Sequence, residues 1–269
     1  MAEARARADV GVFGGSGFYR FLDSVEEVRV ETPYGEPSAP ASIGEVDGVR
    51  VAFIPRHGLS HELPAHRVPY RANVWAMRAL GARRIIGPCA CGTLRHDLAL
   101  GEFVICDQFV DRTNGRADTF YDGPPEPVTH VSAADPYCPD LRALLLEGAS
   151  ALDIPARDGG TVVVVQGPRF STRAESRWFQ AMGWDVINMT AYPEAHLARE
   201  LELCYATVAM VTDYDVGVDG GGAASSEAVM EVFRSNLARL RELLFAVIPR
   251  VGPQPAEHLC ATALRGARL

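Results

Sequence analysis

No stretch of the 269 residues holds the roughly 18 consecutive apolar residues that a membrane span needs. Met1 to Ala8 carries Arg5 and Arg7 but no apolar segment, so a secretory signal is not read there. Excess positive charge is missing as well. The formal charge of −8 argues against nucleic acid or an anionic membrane as the main partner. A small anion needs only a local basic pocket and is not excluded. Cysteine is scarce: the six, at 89, 91, 106, 138, 204 and 260, are too few for a disulfide scaffold. Several sit in strand-like runs and read as buried free thiols. The expectation is a cytoplasmic protein. Nucleotide and hydrolase signatures also fail. There is no P-loop, G-x-G-x-x-G breaks at Arg20, and Ser16 is not in G-x-S-x-G because position 18 is Phe. No linker or internal repeat divides the chain. It reads as one domain over residues 1–269, with a core from about 10 to 250. Residues 251–269 read as a tail or subunit contact.

What is present is an ordinary globular balance, 48% hydrophobic and 22% charged. The organising stretch runs from Thr161 to Asp215. Its apolar runs are Thr161–Val165, Asp185–Met189 and Cys204–Val211, and polar residues close the last two at Thr190 and at Thr212-Asp213-Tyr214-Asp215. In an open α/β sheet ligands bind at the carboxyl ends of strands, so this half is expected to grip a ligand. Further strands are expected at Val10–Phe13, Val28–Thr32, Ala41–Val46, Val49–Ile54, Arg84–Ile86 and Glu102–Phe109. Helices are expected at Tyr70–Leu80, Pro139–Ala151, Ser171–Phe179 and Tyr192–Leu201. A long one follows Ser225 or Ser226, either of which can cap it. Residues 114–138, rich in Gly, Pro, Asp and Thr, form a long excursion.

Three segments offer an anion site. Gly14-Gly15-Ser16-Gly17 breaks a strand, and such a turn brings backbone N–H groups close to a phosphate or is simply tight. Pro55-Arg56-His57-Gly58 offers a planar guanidinium fork beside an imidazole, or a surface loop. Cys89 and Cys91, spaced C-x-C, read first as small residues packing a strand end; their loop also presents backbone N–H groups. His61 and His66 invite a metal reading, but no Cys or carboxylate cluster at ligand spacing accompanies them.

Taken together, these segments resemble the methylthioadenosine-cleaving branch of the trimeric purine nucleoside phosphorylase family. The match rests on Gly14–Gly17, Pro55–Gly58, Ala90-Cys91-Gly92, Asp107–Thr113, Gln166–Glu175, Asn188-Met189-Thr190 with Pro193-Glu194, and Thr212–Asp215. The resemblance implies a single α/β domain with a mixed, barrel-like central sheet flanked by helices, assembled as a homotrimer. It implies phosphorolysis of 5′-deoxy-5′-methylthioadenosine to adenine and 5-methylthioribose-1-phosphate. Phosphate is then a co-substrate, and no metal or organic cofactor is expected. Carried over, Ser16, Arg56, His57, Cys89, Ala90 and Thr190 bind phosphate. Phe170 packs on base or sugar, and Met189 lies under the ribose. Asp213 and Asp215 read the purine edge. Val229, Met230 and, from a neighbouring subunit, His130 enclose the 5′ substituent.

The residues fit that chemistry. Cleaving a C–N glycosidic bond builds positive charge on the sugar and negative charge on the base. A carboxylic acid can protonate the leaving purine if burial or a like charge raises its pKa. Asp213 is the favoured acid, with Asp215 as a coupled neighbour. A carboxylate accepts from a 6-amino group, whereas a 6-oxo group needs a donor. Ser171, where the 6-oxopurine branch has Glu, points the same way. A protonated Asp can still donate, so methylthioinosine or another 6-oxopurine nucleoside stays open as a substrate, as does a 5′-modified deoxyadenosine. Two positions depart from the family: Cys89 replaces a usual Thr with a weaker donor, and Ser226 replaces an apolar residue.

Overall fold

The structure, a computed structural model, describes residues 8–15, 17–18, 22, 25–216, 218 and 226–269. Its strands are β1 (Val10–Gly14), β2 (Glu26–Val28), β3 (Ala41–Val46), β4 (Val49–Pro55), β5 (Arg84–Thr93), β6 (Phe103–Ile105), β7 (Gln108–Arg112), β8 (Ala156–Asp158), β9 (Thr161–Val165), β10 (Val186–Asn188) and β11 (Cys204–Tyr214). The helices are α1 (Tyr70–Ala79), α2 (Pro139–Ala151), α3 (Arg173–Ala181), α4 (Ala191–Glu200) and α5 (Ser226–Val247). All strands join one mixed sheet. One path runs β2-β3-β4-β1-β5-β10-β9-β7, and a second leaves β5 through β11 to β6 and β8. The branch exists because β5 is long. Its first half pairs in parallel with β1, its last residues pair antiparallel with β10, and β11 runs parallel along the whole of it.

Strands covered on both faces read as unbroken apolar runs, and β11 shows why. Cys204, Ala206, Val208 and Met210 enter a core with α2 and α5, built on Leu141, Leu145, Phe233, Leu240, Leu243 and Val247. Tyr205, Ala209 and Val211 point the other way, into a core with α1 and α4 that holds Val74, Met77, Leu197 and Ala198. The two-residue period of a strand therefore feeds both layers. Each large side chain so buried contributes about 1.5–3 kcal/mol before chain entropy is counted.

Local chemistry sets the helix ends. Pro139 occupies the first turn of α2. Thr172 and Glu175 form a reciprocal capping box that opens α3. Gly81, with φ 96°, lets the chain turn sharply after α1. The expected cap of α5 lies outside the described residues, because Ser225 and the side chain of Ser226 are not among them.

Three expectations are corrected. β2 lies at Glu26–Val28, not Val28–Thr32. The strand expected at Arg84–Ile86 continues to Thr93, so Cys89 and Cys91 sit within it and not at a tight end. The run Glu102–Phe109 is two strands: the Asp107 carboxylate takes the Gly160 N–H at 2.9 Å, and beyond it β7 pairs with β9 instead of β11. The last residues fold back on their own chain. His130 N–H donates to Ala267 O at 2.8 Å, and Leu269 N–H to Val128 O at 3.1 Å. Among the described residues no helix is long and apolar enough to cross a membrane.

Candidate active site

The polar residues that close the central strands meet at one edge of the sheet, where ligands of open α/β sheets bind. β4 delivers Arg56 and His57, and β5 delivers Cys89, Ala90 and Gly92. Asn188 to Thr190 follow from β10, and Thr212, Asp213 and Asp215 from β11. All line one cavity of about 330 Å³, with Gly15 from the end of β1 and Phe170 and Ser171 from the loop after β9. Val229 and Met230 of α5 complete the wall. That volume lies within the range of small-molecule pockets.

One end suits an anion. Arg56 is 1% exposed and held by Glu194 as a fork: Nε donates to Oε2 at 2.6 Å and Nη2 to Oε1 at 2.7 Å. Nη1 donates to Pro88 O at 3.1 Å and sits beside Gly15. Burial alone would lower the Arg56 pKa, but Glu194 outweighs it and holds the group charged. Glu194 in turn accepts from Tyr205 Oη at 2.6 Å. These groups meet because position 87 is glycine; a Cβ there would stand 2.0 Å from Tyr205 Oη and 2.9 Å from Glu194 Oε1. Thr190 precedes α4 and makes no capping bond with its own side chain, which leaves its hydroxyl for the cavity. The chain kinks at Tyr192, with φ −110° and ψ 137°, so the continuous helix of α4 begins only beyond it.

His57 carries no charge at neutral pH. Burial, then the Arg56 charge, pushes its pKa down to about 3. Its Nδ1 donates to Leu63 O at 2.8 Å, and the ring stacks on His61 at 4.5 Å. Nε2 is therefore an acceptor, and the imidazole greets a hydrogen phosphate through its P–OH. Cys89 Sγ accepts from Asn188 Nδ2 at 3.1 Å, and burial pushes its thiol up to about 11, so it stands there as a neutral thiol.

The other end suits a base. A bulge separates the pairs Val211–Cys91 and Asp213–Gly92 and leaves Thr212 as the extra residue. Such an insertion bends the strand and re-aims the next side chain. Thr212 Oγ1 lies 3.1 Å from Cys91 O and 2.9 Å from Asp213 Oδ1. Both oxygens accept from the one Thr212 hydroxyl, and its bond to the carboxylate favours the charged form. Burial raises the Asp213 pKa; Thr212 opposes the shift and the Asp215 charge adds to it. Burial also raises that of Asp215, against the opposing hydrogen bonds of Ser176 and the Val216 N–H. Asp215 Oδ2 and Ser171 Oγ are buried and complete no hydrogen bond of good geometry, although Ser171 stands near enough to lower the Asp215 pKa. Orphaned buried polar atoms facing a cavity mark where a ligand's polar edge belongs.

Of the residues expected in the site, Arg56, His57, Cys89, Ala90, Phe170, Met189, Thr190, Asp213, Asp215, Val229 and Met230 line this cavity. Ser16 lies outside the described residues. His130 is exposed and is not among the lining residues of its own chain. Sequence reasoning gave no role to Glu194, Asn188 or Tyr205. A Glu in the first turn of a helix reads as a dipole complement, and nothing local tells that it reaches Arg56.

Comparison with known proteins places these residues in context. The model of the phosphorylase superfamily matches residues 9–249. A purine nucleoside phosphorylase of Streptomyces coelicolor is 53% identical over 97% of this chain and 96% of its own length. An S-methyl-5′-thioadenosine phosphorylase of Mycolicibacterium smegmatis is 53% identical over 95% of both chains. Among solved structures, methylthioadenosine phosphorylase from Schistosoma mansoni in complex with adenine superposes with a TM-score of 0.92. It is 36% identical and covers 97% of this chain and 99% of that one.

Proposed function

We propose, for this chain, which belongs to the phosphorylase superfamily, the reversible phosphorolysis of 5′-deoxy-5′-methylthioadenosine to adenine and 5-methylthioribose-1-phosphate. The observation that carries the reading is one cavity with an anion-binding end and, beside it, two carboxyls of raised pKa, Asp213 partly buried and Asp215 buried. The relatives named for this activity support it.

Phosphate enters between Arg56, the N–H groups near Ala90, Thr190 and the neutral His57. Glu194 offsets the Arg56 charge, so directed hydrogen bonds do most of the holding. As the C–N bond stretches, the phosphate stabilises the cationic sugar and attacks C1′ as the purine leaves. Protonated Asp213 delivers its proton to the departing base, a role worth about 10²–10⁴-fold in rate. Asp215 Oδ2 accepts from the 6-amino group. Phe170 and Met189 pack against base and ribose. Val229 and Met230 give the 5′ substituent an apolar wall. The sequence offers a homotrimer through its resemblance. In it, exposed His130 would complete a neighbour's 5′ pocket, as light scattering on the purified protein would test. The scheme draws on no cofactor.

The test is base release from methylthioadenosine, methylthioinosine, adenosine and inosine, each with and without phosphate, followed by chromatography. The expected result is fast release only with phosphate, best for methylthioadenosine. The Streptomyces relative's name keeps a 6-oxopurine preference in view. Preference for an inosine analogue would keep the anion site and overturn the reading of Asp215. Release without phosphate would overturn phosphorolysis itself.

A further inference from the structure

A second cluster of chemically capable side chains lies apart from the cavity. Cys138, Cys204, His258 and Cys260 bring their ligand atoms within 4.8 Å of one another. Three separate segments supply them. Cys138 is the N-cap residue of α2, Cys204 opens β11, and His258 and Cys260 belong to the tail. None lines the cavity, and all three cysteines are buried free thiols. The reaction therefore leaves this convergence unexplained.

We propose that these four side chains bind one zinc ion in a closed Cys3His site that pins the tail to α2 and β11. Three soft sulfur donors and an imidazole, with no carboxylate in the set, select zinc over magnesium or calcium. Four protein ligands leave no open position, which makes the site structural. Zn–S of about 2.3 Å and Zn–N of about 2.0–2.1 Å put tetrahedral ligand atoms ~3.6–3.8 Å apart. Cys204 Sγ is 3.6 Å from His258 Nδ1, at that spacing, and Cys138 Sγ reaches the same ring at 3.9 Å from Nε2.

The surroundings are those of a metal ligand set. His258 Nε2 lies 3.2 Å from Asp140 Oδ2, which lies 3.6 Å from Arg84. A carboxylate behind the imidazole fixes its tautomer and leaves Nδ1 with the lone pair. The Cys260 amide N–H now points at that lone pair at 3.1 Å; the metal would take its place. Gln254 Nε2 donates towards Cys204 Sγ at 3.5 Å, and the N-terminus of α2 faces Cys138. Binding releases the three thiol protons to solvent. Zn²⁺, three thiolates and a neutral imidazole then carry a net charge of −1, which the α2 terminus favours. This revises the sequence-based expectation of no metal. The partners stand 54 and 120 residues apart, so no local spacing betrays them.

The full-length protein, grown with zinc and desalted, is measured by elemental mass spectrometry and by thiol titration under native and denaturing conditions. The expected result is about one zinc per chain, lost in Cys260→Ser and Cys204→Ser and kept in Cys106→Ser. Cobalt in its place should show the intense visible bands and thiolate charge transfer of a tetrahedral site. Should the serine variants fail to fold, His258→Cys supplies a fourth thiolate, and it should keep the metal and shift the cobalt spectrum. Wild-type protein without zinc, a Cys138–Cys204 disulfide found by peptide mapping, or zinc unaffected by the serine variants would each overturn the proposal.

Discussion

In the proposed reaction Asp213 serves as an acid only while it keeps its proton, and burial shifts it towards that form. Burial raises its pKa and the Asp215 charge adds to the shift, while the Thr212 hydroxyl opposes it. Turnover should therefore fall as pH rises through that raised pKa. Asp213→Asn should lose about 10²–10⁴-fold in kcat. It should keep the KM for phosphate and show no such alkaline limb. An Asn variant with wild-type turnover would remove Asp213 from the role. His57 has the opposite sign. Its folded pKa of about 3 lies below the unfolded 6.5. It contributes stability that is fully present above pH 6.5 and is lost as pH falls towards 3. At about pH 5 the loss is about 2 kcal/mol. Denaturant melts of the free enzyme at pH 7 and pH 5 should show it, and His57→Asn, which keeps a donor for Leu63 O, should flatten that slope. Much of this was legible in the sequence, because Arg56-His57 and Asp213–Asp215 carry their chemistry in neighbouring letters. What stayed hidden was charge state: an imidazole beside Arg56 reads equally as donor or acceptor until Leu63 O is found on Nδ1.

At the scale of elements, the site depends on how closely β5 and β11 approach. Gly87 makes room for Tyr205 Oη and Glu194 to meet under Arg56. Gly87→Ala forces apart a buried ion pair, and such overpacking costs about 1–3 kcal/mol. The variant should unfold earlier in urea and bind phosphate more weakly. Adding Tyr205→Phe removes the nearest clashing atom, so the double variant should be more stable than additivity of the singles allows; strict additivity would break the link. Glu194→Ala should cost more, about 3–5 kcal/mol, because it leaves the Arg56 charge buried and unpaired. Midpoints in urea check both. The long apolar runs of β9 and β11 and the stripe of α5 were legible, since their periods are regular. The boundary inside Glu102–Phe109 was not. Its residues suit a strand throughout, and the break at Asp107 is set by Gly160, 53 residues away.

At the scale of the whole molecule, the tail closes the chain on itself. Ala267 and Leu269 take and give backbone hydrogen bonds at His130 and Val128, and a bridge joins Thr129 to Arg268. The excursion that bears His130 is otherwise irregular, so these contacts fix where that side chain stands. Composition marked this end of the chain only as a tail or a subunit contact, because backbone pairing with residues more than a hundred positions away leaves no pattern in side-chain type. If His130 completes a neighbour's 5′ pocket, removing residues 266–269 should weaken nucleoside binding without touching the anion site. Each lost hydrogen bond is worth only about 0.5–1.5 kcal/mol, so the fold should persist. His258 and Cys260 also remain in this variant, which separates the effect from any metal. The expected outcome is a several-fold rise in KM for methylthioadenosine, an unchanged KM for phosphate, and faster amide exchange confined to residues near 130. An unchanged nucleoside KM beside faster exchange would place His130 outside the pocket. A rise in both constants would mean that the tail supports the whole sheet edge and not one loop.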